Sequence, residues 1–121
     1  MTFDWSQGAL AEGLRLYNAG EYFAAHEAWE SVWMVSDGPE KLFLQGLIQV
    51  TAAFHHFQRG NLVGTLRTFE KALLRLDPLP PEFGGIAVGQ LRDDVRDRLH
   101  LLNADQPPSQ LTPARIQLLC L

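Results

Sequence analysis

Cysteine is nearly missing from this 121-residue chain. Cys120 stands alone, which excludes an internal disulfide framework and any zinc site built from several cysteines. A reducing compartment is the expected setting. Clustered positive charge is missing too: the two lysines and eight arginines are scattered, the net charge is -4 and the pI is near 5.4. No electrostatic footprint for nucleic acid is visible. No run of eighteen uninterrupted apolar residues occurs, so no membrane span is expected. The opening MTFDWSQGAL has neither the basic n-region nor the apolar h-region of a signal peptide, and the chain is expected to be cytoplasmic. Signatures of nucleophilic catalysis and phosphate binding are absent as well, since neither GxSxG nor a glycine-rich phosphate loop appears.

What is present is an ordinary globular composition, 46% hydrophobic, at a length suited to one domain spanning residues 1–121. Its most apolar stretch runs from Glu40 to Arg59, EKLFLQGLIQVTAAFHHFQR. At 100° per residue this helix is apolar on nearly every side, which places it at the centre of a bundle. Its exceptions are Gln45, Gln49 and His56, which project within roughly 40° of one another and form a narrow polar stripe.

The rest of the chain reads as helices around that rod. Ser6 is suited to cap a first helix from about Gln7 to Ala19, and Gly20 stops it. A second helix follows Glu21, with Tyr22, Ala25, Trp29, Val32 and Trp33 on its apolar arc. His26 falls inside that arc, Glu30 at its margin, and Glu27 further round beside Phe23 and Met34. Ser36-Asp37-Gly38-Pro39 breaks the chain before the central helix, and Asn61 is suited to cap a fourth helix ending at Asp77-Pro78. The run LPPEFGG, residues 79–85, reads as irregular loop. A fifth helix runs from about Val88 to Asn103, and its charges, Arg92 to Arg98, read as a solvated face. The tail, residues 104–121, is expected to pack back on the bundle.

The expected fold is therefore all-α: a single-domain bundle of about five helices, two antiparallel pairs plus a C-terminal helix. Tyr17, Gly20, Trp29, Glu30 and Trp33 are echoed forty residues later by Phe57, Gly60, Phe69, Glu70 and Leu73, as two similarly built helix hairpins would require. Phe3, Trp5, Phe83 and the apolar tail have no obvious place in a five-helix core. Their exposure would favour a homodimer.

The short connection through Gly38-Pro39 makes the second and third helices neighbours, so that His26 and Glu30 would look across at Gln45, Gln49 and His56, against Trp29 and Trp33. Three fates are open to such a cluster. Its members satisfy one another, as most buried polar groups do; or they line a pocket for a small molecule or a peptide end; or they hold a metal. HEAWE lacks the second histidine of the HExxH zinc proteases, and no Glu-x-x-His pair of the di-iron bundles occurs. His26, Glu30 and His56 still amount to two imidazoles and a carboxylate, the donor types of an open metal site.

NAGEYFAAHEAWE, Trp33, LQGLIQ, and His56 followed by RGN and Gly64 resemble the signature of the domain of unknown function 309 family, small all-helical proteins of bacteria and archaea. The resemblance covers roughly Leu14 to Leu76. It implies the helical fold and a motif made of His26, Glu27, Glu30, Trp33, Gln45, Gln49, His56 and Asn61, and it implies no established activity. Thr65 stands where a small alanine is expected after Gly64. The expected role is a non-enzymatic binding or interaction module without a cofactor, using the polar cluster between helices 2 and 3. The alternative is a metal-dependent hydrolase using His26, Glu30 and His56.

Overall fold

A computed structural model describes residues 3–119, so Cys120 lies outside the described residues. The elements are α1 (Gly8–Asn18), α2 (Tyr22–Trp33), α3 (Gly38–Gln58), α4 (Leu62–Leu76), β1 (Glu82–Phe83), β2 (Ile86–Ala87) and α5 (Val88–Leu102). Among the described residues the fold is all-α apart from one hairpin of two-residue strands and a single bridge from it to Leu118. Among the described residues no helix is long and apolar enough to cross a membrane.

α3 is the central rod. It packs most extensively on α4 and also on α2, which in turn packs on α1. Phe43, Leu44, Leu47, Val50 and Ala53 are fully buried along it. An aromatic spine crosses the core: Tyr17 lies against Trp29 with ring centroids 6.2 Å apart, Tyr22 stacks on Phe54 at 5.5 Å, and Phe54 meets Phe69 edge-on at 5.1 Å.

The forty-residue echo is geometrical. At the end of α1 the Glu21 N–H donates to Leu16 O at 2.9 Å and the Gly20 N–H to Tyr17 O at 3.0 Å. At the end of α3 the Asn61 N–H donates to His56 O at 2.9 Å and the Gly60 N–H to Phe57 O at 3.0 Å. Both are the paired bonds of a Schellman turn, and both place glycine in the left-handed region, at φ 78° and 74°. Asn61 then caps α4 through its side chain, accepting the Gly64 N–H at 2.9 Å. α1 differs from expectation. Its N-cap is Gln7, which makes no side-chain capping bond, because Ser6 and the Gln7 amide are both held by Asp4, whose carboxylate accepts the Ser6 N–H and hydroxyl and the Gln7 side-chain N–H.

Residues 79–85 are not irregular loop throughout. β1 and β2 pair antiparallel in the register Phe83 with Ile86, and Gly84 and Gly85 stand at φ 60° and 79°, the two positive values a tight hairpin turn requires. The tail adds to this hairpin: the Ala87 N–H donates to Gln117 O at 3.0 Å and the Leu119 N–H to Gly85 O at 2.9 Å. The tail does pack back on the bundle, burying Ala114 and Ile116.

The fifth helix's charges also need correction. Asp93, Arg96 and Asp97 are exposed, but Asp94 is buried and accepts three hydrogen bonds from Arg115: its backbone N–H at 2.9 Å, Nε at 3.0 Å and Nη2 at 3.1 Å. Arg92 donates to the carbonyls of Leu76 and Leu79, and Arg98 to those of Thr112 and Pro113. Arg96, though exposed, pairs with Asp77 at the end of α4, so most of that face is occupied in tying down α4's end and the tail.

Three of the residues that motivated a homodimer, Phe3, Trp5 and Phe83, are used within the chain. Phe3 is buried, Trp5 meets Trp29 and Phe43 edge-on at 6.4 Å, and Phe83 packs on Phe43 at 5.4 Å. The large apolar side chains left exposed include Leu118 of the tail and Phe23 and Met34 on α2.

Candidate functional site

The helical period of α2 sends Ala25 and Trp29 into the core and leaves His26 and Trp33 half-buried at the edge, with Glu30 one turn beyond His26. Across from them α3 presents Gln45, Ile48, Gln49 and Ala52. Together these seven residues line a groove of about 360 Å³ between the two helices. Sequence spacing thus located His26, Glu30, Trp33, Gln45 and Gln49 on one surface.

The hydrogen bonding inside the groove is incomplete. His26 Nε2 lies 3.5 Å from Glu30 Oε2, both side chains being partly open to solvent. His26 Nδ1, Trp33 Nε1 and Gln49 Oε1 are buried and have no hydrogen-bond partner in the protein. Mutual satisfaction of the cluster is therefore not what the structure contains. The other two tryptophans differ: Trp5 Nε1 donates to Gly84 O at 2.7 Å and Trp29 Nε1 to Leu10 O at 3.1 Å. The Trp33 ring instead carries the Lys41 ammonium 4.5 Å from its centroid. No hydroxyl or thiol lines the groove.

His56 and Asn61 do not reach it. His56 lines an adjoining hollow of about 190 Å³ with Phe23, His26, Ala52 and His55. Asn61 Oδ1 is committed to capping α4, so its amide nitrogen faces His56 Nδ1 at 3.3 Å and donates to it. When neutral, His56 must then carry its proton on Nε2. Burial, with the charges of Arg59, His56 and His26, holds His55 below the ordinary imidazole range. Glu27 lines a third hollow, of about 390 Å³, with Phe23, His26, Glu30, Ser31 and Met34. His26, Glu30 and His56 are not assembled as ligands: among the described residues no three His, Cys, Asp or Glu side chains converge as a metal requires.

Two residues of this surface carried no chemical signal in the sequence. Ala52 sits seven positions after Gln45, on the same stripe, and its small side chain opens the groove toward His56. Phe23 stacks on His26 with centroids 6.2 Å apart and contacts His55 at 5.5 Å, walling two of the hollows.

Known proteins share this framework. The crystal structure of a conserved hypothetical protein from Thermus thermophilus matches with a TM-score of 0.67 and 36% identity, over 83% of this chain and 99% of that one. An uncharacterized protein of Aquifex aeolicus is 32% identical over 100 residues, 82% of this chain, and the chain spans 30% of the length of that relative. The model of a domain of unknown function, number 309, matches residues 10–68, which include the groove and the Asn61 cap. With its helix hairpins and its HEAWE and LQGLIQ segments in place, the chain belongs to the domain of unknown function 309 family.

Proposed function

We propose that this chain is a non-enzymatic binding module and that the α2–α3 groove is its binding surface. One observation carries this: three buried polar atoms lack partners in the protein, and all three belong to residues that line the same groove, His26, Trp33 and Gln49. A buried donor or acceptor left unpaired costs about 1 to 3 kcal/mol. Residues kept at such expense to stability are the ones a function requires. Binding is favoured over catalysis by the groove's lining, which offers an imidazole, a carboxylate, two amides and an indole but no nucleophilic hydroxyl or thiol.

The test is Gln49→Leu, followed by denaturant unfolding. Removing an unpaired buried acceptor while keeping apolar volume should leave stability unchanged or raise it by up to about 1 kcal/mol. A loss of about 1 kcal/mol or more would mean that Gln49 is part of a structural network, and the groove would lose its standing as a site.

A further inference from the structure

We infer that the groove takes an extended peptide segment of a partner protein, and that Trp33 and Gln49 read one of the segment's main-chain amides. This rests on the binding role proposed above and adds the class of ligand. An indole N–H can only donate, and a carboxamide oxygen can only accept. A ligand that satisfies Trp33 Nε1 and Gln49 Oε1 together must therefore bring both an acceptor and a donor. A carboxylate brings no donor and an ammonium no acceptor; a phosphate would also meet the Glu30 carboxylate. The peptide unit carries one C=O and one N–H in a fixed plane.

The shape of the surface points the same way. The 360 Å³ groove and the hollows of about 390 and 190 Å³ adjoin one another around His26, which lines all three. Taken as one open trough along α2 they suit an extended chain, where an enclosed pocket would suit a compact small molecule. From Phe23 to Met34 the helix rises about 16 Å, the length of about five residues of extended chain. Phe23 and Met34 are 56% and 68% exposed at the two ends. They are placed to pack against apolar side chains of the segment. Glu27 and Glu30 border the trough, so a neutral or basic segment fits and an acidic one does not.

The experiment uses the full chain labelled with nitrogen-15, whose three tryptophans give three indole N–H signals. The indoles of Trp5 and Trp29 are committed to backbone carbonyls and serve as internal references. The probes are N-acetylglycine N-methylamide and the blocked peptide acetyl-Ala-Leu-Lys-Leu-Ala-amide, with glucose, acetate and methylammonium as comparisons. Both amide probes should shift the Trp33 signal and leave the other two in place. The peptide should bind more tightly than the single amide, and Gln49→Leu should weaken it about tenfold. If glucose, acetate or methylammonium moves the Trp33 signal and the amides do not, the groove is a binding site but not for peptide, and this inference fails alone. If no probe moves Trp33 in a folded chain, the inference and the binding role fail together. Movement of Trp33 with the chain's own concentration would make the occupant a second copy and overturn the choice of a partner protein.

Discussion

Trp29→Ala is expected to cost about 3 to 5 kcal/mol, the range for truncating a large buried aromatic, and so a large share of the roughly 5 to 15 kcal/mol that stabilises a domain. Trp29 is fully buried, and its ring meets Trp5 at 6.4 Å and Tyr17 at 6.2 Å. Its indole N–H gives Leu10 O a second hydrogen bond beside the one α1's own ladder supplies, so truncation also removes a link between α2 and α1. α1 has little means of closing the cavity. The indole lies directly against Gly13, where a Cβ would stand 2.2 Å from Trp29 Nε1, so α1 has no side chain there to fill the space. Denaturant unfolding should show the midpoint falling with an unchanged slope. A loss below about 1 kcal/mol would mean that α1 does not rest on Trp29.

Asp94→Ala should be the next most costly change, at about 2 to 3 kcal/mol, because the buried carboxylate takes three hydrogen bonds from Arg115 and holds the tail to α5. The same contacts give the loss a pH dependence. Hydrogen bonds from the Arg115 side chain first, then that residue's backbone N–H and charge, hold the Asp94 carboxyl below its usual range despite its burial. A carboxyl with a depressed native pKa stabilises the fold at pH above its unfolded value, near 3.9. That stabilisation disappears as pH falls through the native value. The wild-type chain should therefore lose stability on acidification below about pH 4 more steeply than Asp94→Ala does. Parallel acid limbs in the two proteins would show that Asp94 is not held charged by Arg115.

The helices and the candidate surface were legible because both depend on periodicity. Apolar residues at helical spacing, Pro39 near the start of α3, Asn61 as a cap and the glycines at 20 and 60 are local signals, and they act locally in the structure. What periodicity cannot convey is position along the helix axis. His56 shares its azimuth with Gln45, yet eleven residues of rise set them about 16 Å apart. His56 therefore falls in the neighbouring hollow, beside Asn61 instead of Glu30.

The remaining differences come from contacts between residues distant in sequence. Arg92, Asp94 and Arg98 alternate in sign as a solvated face does, and only the tail and α4's end, folded against them, make them structural. Phe3 and Trp5 look surplus in the sequence because their place in the core lies beside a hairpin formed some eighty residues later. The Gly-Gly pair in LPPEFGG is itself a hairpin signal; with so few flanking residues of strand character, the prolines outweigh it.

That hairpin gives the chain a nearly circular form. Trp5 is bonded to the carbonyl of Gly84 and Leu119 to the carbonyl of Gly85, so the two ends of the described chain are moored to consecutive peptide units. Residues this close can be joined by a short flexible linker, and the chain reopened where the backbone is exposed, as at Asp105 between α5 and the tail. Such a permuted chain would retain the α2–α3 groove unaltered and would carry its new ends between α5 and the tail.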